Sequence, residues 1–256
     1  MPKVIAVMPV RDEEWILERS LADLSTYIDE IVMVDDGSTD RTPEIIRSFP
    51  KVTTIHTNPP GTRPFGNGCE ANNRNKLLDM ARHRGAEWIL QIDADEIFED
   101  AIKTRIYRFF RRGASVEFPV AHLWGDIDHF RVDNEWGTFR RWSLFRLHGR
   151  YAKYMRYSNK HIIAKPRAFD RKNIFKSNVK IIHYGWINPN IRAKHLKRYY
   201  EVFKIKYPQK TVSFEEFAIS EEMQSDLNIV KQDYSQVITK TWAEVMGKES
   251  QEKYRL

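Results

Sequence analysis

Apolar residues in the first hundred positions come in short unbroken runs separated by helical stripes. Lys3 to Val10 and Ile31 to Val34 are such runs, and between them Leu17, Leu21, Leu24 and Ile28 recur at helical spacing. A run without polar alternation reads as a strand covered on both faces, as in a parallel sheet flanked by helices. The stripe reads as the buried face of a helix opened by Arg11-Asp12-Glu13-Glu14. A second helix is expected from Pro43 to Phe49, with Ser38, Thr39 or Asp40 as its cap. A strand over Val52 to His56, a Pro- and Gly-rich loop over Thr57 to Gly68, a helix over 70–84 and a strand over Trp88 to Ile92 complete the series. Alternating strand and helix predict an α/β fold, a Rossmann-type and mostly parallel sheet between helices.

The second half is less regular. Ile181 and Ile182 read as a buried strand, with His183 at its exit and Tyr184-Gly185-Trp186 as the turn leaving it. After Asn188 the chain turns helical and amphipathic, with Ile191, His195, Tyr199, Val202 and Phe203 on one face and Lys194, Lys197, Arg198 and Lys204 on others. Two short helical segments, FEEFAISEEM and VITKTWAEVM, follow Ser213. The expected organisation is an α/β domain over 1–190 and a C-terminal helical extension over 191–256 packed on it, without internal repeats.

Composition adds an asymmetry of charge. The net charge is +7, yet residues 140–210 hold twenty Lys or Arg against two acids, Asp170 and Glu201. Aromatic residues are interleaved through this block, a mixture that suits nucleic acid, anionic lipid headgroups or phosphorylated ligands as well as a plain solvated face. Lone Cys69 excludes an internal disulfide framework and fits a reducing compartment. No apolar run approaches the roughly 18 to 20 residues that span a bilayer, and no signal-peptide pattern opens the chain, so a cytoplasmic protein is expected.

Two buried strands end in acids, VDDGSTD at Val34 to Asp40 and IDADE at Ile92 to Glu96. In a parallel sheet both clusters open on the edge where such folds hold ligands. Six carboxylates there repel one another unless a cation joins them. Asp93 and Asp95, two apart at a strand exit, can turn towards one ion, and hard oxygen donors suit Mg2+ or Mn2+ better than zinc. A turn that merely caps the next helix is the competing reading of the first cluster.

Together with MPVRDEE at Met8 to Glu14 and NRNKLLDMA at Asn73 to Ala81, these segments resemble, in order and spacing, the motifs of family 2 glycosyltransferases with the GT-A fold. The first motif carries Arg11 and Asp12 in place of part of the common P-x-Y-N-E-E. The resemblance implies a metal-dependent, inverting transferase that moves a sugar from a nucleotide-sugar donor, a UDP-sugar foremost, to a glycan, lipid-linked or protein acceptor. Pro9, Val10, Arg11, Glu13, Asp35, Asp36 and Gly37 would line base and ribose, a carboxylate accepting the imide N–H of uracil. Arg74, in the first turn of its helix, and Asn75 would hold the diphosphate. Asp93 and Ala94 would face the donor, and Asp93 and Asp95 the Mn2+ or Mg2+ ion of a DXD motif. His183 is the expected further metal ligand, with His161 its competitor. Asp126, Asp128, Asp133 and Glu135 are the carboxylates in the segment where such enzymes place a base, Asp128 and Glu135 foremost.

Two alternatives remain. A sugar nucleotidyltransferase carries a glycine-rich loop after its first strand, which PVRDEE lacks. A nucleic-acid-binding protein using segment 140–210 leaves both acid clusters unexplained, so no nucleic acid is expected as partner. NAD binding is excluded because no G-x-G-x-x-G follows the first strand. Lys194, Lys197, Arg198 and Lys204 would suit peripheral contact with an anionic membrane.

Overall fold

The computed structural model describes residues 1–60, 69–112, 115–147, 174–219, 237–247 and 254. The first half alternates β1 (Val4–Val10), α1 (Glu14–Leu24), β2 (Glu30–Asp35), α2 (Thr42–Ser48), β3 (Val52–Thr57), α3 (Cys69–His83) and β4 (Trp88–Gln91). Then come β5 (Glu96–Phe98), α4 (Ala101–Phe109), β6 (Ser115–Leu123), β7 (His129–Arg131), β8 (Arg140–Arg146), β9 (Ile174–Lys176) and β10 (Ile181–His183). The chain closes with α5 (Pro189–Lys206), α6 (Phe214–Ile219), β11 (Thr239–Thr241) and α7 (Trp242–Met246).

Strands β3, β2, β1 and β4 lie side by side and run parallel. Both faces of β1, β2 and β4 are covered, which is why these strands lack polar alternation, whereas β3 at the sheet edge alternates half-buried with exposed residues. Ala6, Met8 and Met33 pack with Leu17, Leu21 and Leu24 of α1 on one face. Ile5, Val7, Val32 and Val34 pack with Leu77, Leu78 and Ala81 of α3 on the other.

Beyond β4 the sheet becomes antiparallel through β8, β6, β7 and β11. A short antiparallel pair, β5 with β10, joins through the parallel pairing of β10 with β6. Register sets His183 opposite Glu96 on one side and His122 on the other. A residue of the last hundred thereby stands beside the turn that leaves β4.

Helix α5 begins where the sequence predicts it, because the Asn188 side chain accepts a hydrogen bond from Ile191 N at 3.0 Å and Pro189 follows at the first helical position. The tail is less purely helical than expected, since β11 adds a strand to β7 before α7 starts. Among the described residues no helix is long and apolar enough to cross a membrane.

Candidate functional site

The carboxyl ends of β1, β2 and β4 open on one edge, and the register places Val10 beside Asp35 there. The polar residues after β2 tie down the turn after β1. Ser38 Oγ accepts from Asp12 N at 2.9 Å, Thr42 Oγ1 from Glu13 N at 2.9 Å, and Asp12 Oδ1 from Thr39 N at 2.7 Å. Asp12 takes a positive φ of 53°, an αL conformation that Asp tolerates. Gly37 needs its glycine doubly: φ is +79° and a Cβ would stand 2.8 Å from Pro59 O.

Asp35 is buried, and its Oδ1 accepts from Ser38 N at 3.0 Å. Its Oδ2 has no hydrogen-bond partner among the described residues. Asp35 also lines a cavity of about 140 Å³ with Pro43, Ile46 and Arg47 of α2 and Ile55 and Thr57 of β3. Asp36 is engaged differently: its Oδ1 accepts from Asn58 Nδ2 at 2.6 Å, which also donates to Asn73 Oδ1 at 2.9 Å. Neither Asn58 nor Asn73 was singled out by sequence, although Asn73 opens the quoted NRNKLLDMA.

After β4 the chain makes a tight acidic turn. Asp93 N donates to Glu96 Oε2 at 3.0 Å. Arg74 Nη2 stands 2.9 Å from Asp93 Oδ1 while its Nε reaches Glu70 Oε1 at 2.9 Å. Arg141 Nη1 stands 2.8 Å from Asp93 Oδ2, and its Nη2 is paired with Glu96. Burial would raise the Asp93 carboxyl, but the two guanidinium groups hold it below its ordinary value. Glu96 is raised, by burial first, against the pull of Arg141. Arg74 sits in the second turn of α3, not the first, because the helix starts at Cys69. Arg141 escaped sequence reasoning, having been counted within a basic block.

The second aspartate faces elsewhere. Asp95 is buried, with His183 Nε2 at 3.2 Å from its Oδ2 and His195 Nε2 at 3.8 Å. Burial would raise the Asp95 carboxyl, yet His183 beside it, with His195, holds it far below the usual carboxylate range. His183 is raised by Asp95 despite its burial, whereas burial pushes His195 down to about 3. On the far side of the ring, His183 Nδ1 lies 2.8 Å from His122 Nδ1, so one ring carries a proton there that the other accepts. Gly185 keeps the space open: a Cβ would stand 2.7 Å from Asp95 Oδ2 and 2.8 Å from His183 Nε2.

Helix α5 is laid against this edge by its cations. Arg198 Nη1 stands 2.9 Å from Glu13 Oε1, its Nη2 donates to Arg11 O at 2.5 Å, and Lys194 reaches Asp12 O and Glu13. Trp15 Nε1 donates to Glu13 Oε2 at 2.6 Å. The Glu13 carboxylate thus faces α5, and Lys194 and Arg198, two of the four cations expected to suit an anionic membrane, are engaged by the turn after β1. Lys197 and Lys204 of the same helix are exposed.

Among the other expected residues, Pro9 and Val10 end β1 and Arg11 follows them, while Ala94 is buried between Asp93 and Asp95. Asn75 is half-buried on α3 beside Arg74. Asp133 is bound to Arg131 by two hydrogen bonds of 2.8 Å, and Asp126 accepts from His129 and from Asp128 N, so two of the four acids serve local structure. Asp128 lies exposed in the turn between β6 and β7. Glu135 belongs to a 3-10 turn, Asn134–Gly137, and its side chain lies outside the described residues, as does His161. Its neighbour Trp136 packs edge-on against His122, with ring centroids 4.8 Å apart.

The profile described as Glycosyl transferase family 2 matches residues 5–177. A TPR repeat-containing protein of Synechococcus elongatus is 35% identical over 96 residues, 38% of this chain and 21% of that protein. An uncharacterized protein of Mycobacterium tuberculosis is 26% identical over 208 residues, 77% of this chain and 50% of that protein. The chain thus spans half or less of the length of these relatives. S. aureus TarS shares the fold, with a TM-score of 0.50 at 14% identity over 88% of this chain and 43% of that chain.

Proposed function

The chain belongs to glycosyl transferase family 2, and from that premise we propose that it moves a sugar from a UDP-sugar to a hydroxyl acceptor, with inversion and with help from a divalent cation. The observation that carries the reading is the convergence of Asp95, from the turn after β4, and His183, from β10, on one space kept open by Gly185. Asp95 and His183 would hold the ion, and an imidazole nitrogen beside a buried carboxylate oxygen favours Mn2+ over Mg2+, which prefers oxygen donors alone. When bound, the ion supplies Lewis-acid neutralisation of the departing nucleoside diphosphate.

The protein's own residues divide the remaining work. Asp35 Oδ2 takes the imide N–H of uracil, the bond it otherwise lacks, while the Asp36, Asn58 and Asn73 chain fixes the wall beside it. Arg74 exchanges part of its hold on Glu70 and Asp93 for the diphosphate, and Asn75 assists. Both oxygens of Asp93 are held by guanidinium groups, so its part is to position Arg74 and Arg141 rather than to bind the ion. His122 orients the His183 ring through their Nδ1 contact. Glu135 is favoured over Asp128 as the base, because its turn abuts His122 through Trp136. In the transfer, the bond from the sugar C1 to the diphosphate oxygen breaks with its electron pair leaving on oxygen. The acceptor oxygen bonds C1 from the opposite face, and its proton passes to the carboxylate.

The test is thermal stability against UDP, UDP-sugars and other nucleoside diphosphates, with and without Mn2+. A ligand that binds only the folded state raises the melting temperature. UDP with Mn2+ should shift it more than uridine or either component alone, and equal behaviour of all nucleotides would overturn the reading.

A further inference from the structure

Resting on that reading of the Asp95 edge, we infer that His195 of α5 is a third protein ligand of the divalent cation, joining Asp95 and His183. Its Nε2 stands 3.8 Å from Asp95 Oδ2, the same oxygen that His183 Nε2 approaches at 3.2 Å. That nitrogen is buried without a hydrogen-bond partner among the described residues. A buried polar atom lacking a partner is costly, so its placement calls for a ligand.

Adjacent ligands about 2.1 Å from an octahedral ion stand roughly 3 Å apart. The His183 spacing fits that figure, and His195 has about 0.8 Å to close, within the play of its side-chain torsions. As they stand, no three His, Cys, Asp or Glu side chains among the described residues are placed to hold a metal ion, so the third ligand is gained only when His195 closes this distance. The helix that carries His195 is held to the β1 edge by Arg198 and Lys194, which lie on either side of it in sequence, and Trp186 lies against the ring with centroids 5.5 Å apart. His195 is therefore delivered by the helix from one direction while β10 delivers His183 from another. A neutral imidazole adds coordination without adding charge to an edge that already holds Asp93, Asp95 and Glu96.

The consequence is that metal binding and the docking of α5 are one event. A ligand from the late helix makes the cation site depend on a segment that follows the acid motifs by many residues.

The experiment is pulsed electron paramagnetic resonance on the full chain loaded with Mn2+, alone and with UDP, reading nitrogen couplings from histidine labelled with 15N. Two histidine nitrogens are expected in the wild type and one in either His183→Ala or His195→Ala, with Mn2+ affinity in His195→Ala reduced about tenfold or more. His195→Asp should restore affinity and His195→Phe should not. A single nitrogen in the wild type that disappears in His183→Ala would overturn the inference and leave the donor-site reading intact. Absence of any Mn2+ binding in the wild type with UDP present would overturn both. The wild-type spectrum decides between these outcomes even where a variant fails to fold.

Discussion

Arg198 Nη1 lies 2.9 Å from Glu13 Oε1, so a helix from the last quarter of the chain is fastened to the turn after the first strand. Glu13 is buried, and its carboxyl is raised, by burial first and by the nearby Asp95 charge next, against the pull of Arg198 and Lys194. The pair is therefore a clamp under electrostatic tension, and α5 sits where it does because a buried acid requires a cation.

Arg198→Ala should loosen α5 and lower stability by about 1.5–3 kcal/mol, the scale of a hydrogen bond to a charged group. Weaker binding of UDP with Mn2+ should accompany it, because His195 travels with the helix. Glu13→Gln with Arg198→Ala should cost less than the sum of the two single changes, since the partners are in contact. Chemical denaturation and isothermal titration measure both quantities. A variant that melts and binds like the wild type would show that the clamp holds nothing.

How far this arrangement was legible in the sequence differs by region. Val4 to Val10 and Ile31 to Val34 are uniformly apolar, so their burial and the edge at which Asp35 emerges followed from pattern alone. The pairing of Asp95 with His183 was also anticipated, because both residues stand at the exit of a short apolar run. Arg141, Arg198 and Lys194 were not legible, since a cation facing a buried acid and a cation facing water look the same in one dimension. His195 was read as part of an apolar stripe for the same reason: helical spacing gives the face but not what the face meets. Strands β6 and β8 escaped because Glu117 and Arg140 to Trp142 interrupt their apolar runs with half-buried residues.

Arg74→Ala should weaken UDP binding far more than uridine binding. The charge-assisted contact to phosphate is worth about 1.5–3 kcal/mol, roughly one to two orders of magnitude in affinity. Arg74→Lys should restore little, because the guanidinium spans Glu70 and Asp93 through different nitrogens and a point charge cannot. Titration calorimetry with both ligands decides it, equal losses for uridine and UDP being the adverse result.

Gly185→Ala should abolish tight Mn2+ binding while leaving the fold nearly unchanged. Gly185 is not among the positive-φ residues, so its backbone accepts alanine. The added Cβ, however, would stand 2.7 Å from Asp95 Oδ2 and 2.8 Å from His183 Nε2, and one of them must move away. Free Mn2+ measured by electron paramagnetic resonance, beside a thermal melt, separates the two effects. Wild-type Mn2+ affinity in this variant would mean that the ion lies elsewhere.

Arg131 is fully buried between Trp124 and Trp136, with its guanidinium carbon 4.5 and 4.7 Å from their ring centroids. Asp133 is its charge partner, through two bonds of 2.8 Å. Burial would raise the Asp133 carboxyl, but these bonds outweigh it and hold the group below its ordinary value. A carboxyl depressed in the folded state adds stability above its unfolded value, near 4, and that contribution is lost as pH falls through the folded value. Asp133→Asn leaves a buried guanidinium without its counter-charge, a loss of about 3–5 kcal/mol at neutral pH. The cost should shrink as the medium is acidified below about pH 4, where the wild type loses the same charge, so the two stability curves converge at the acid end. Because Trp136 also packs on His122, a weakened Arg131 cage should reach the His183 ring, and Mn2+ affinity should fall along with stability. Parallel stability curves at every pH would assign the pair no electrostatic role, and unchanged Mn2+ affinity would detach the tryptophan cage from the metal edge.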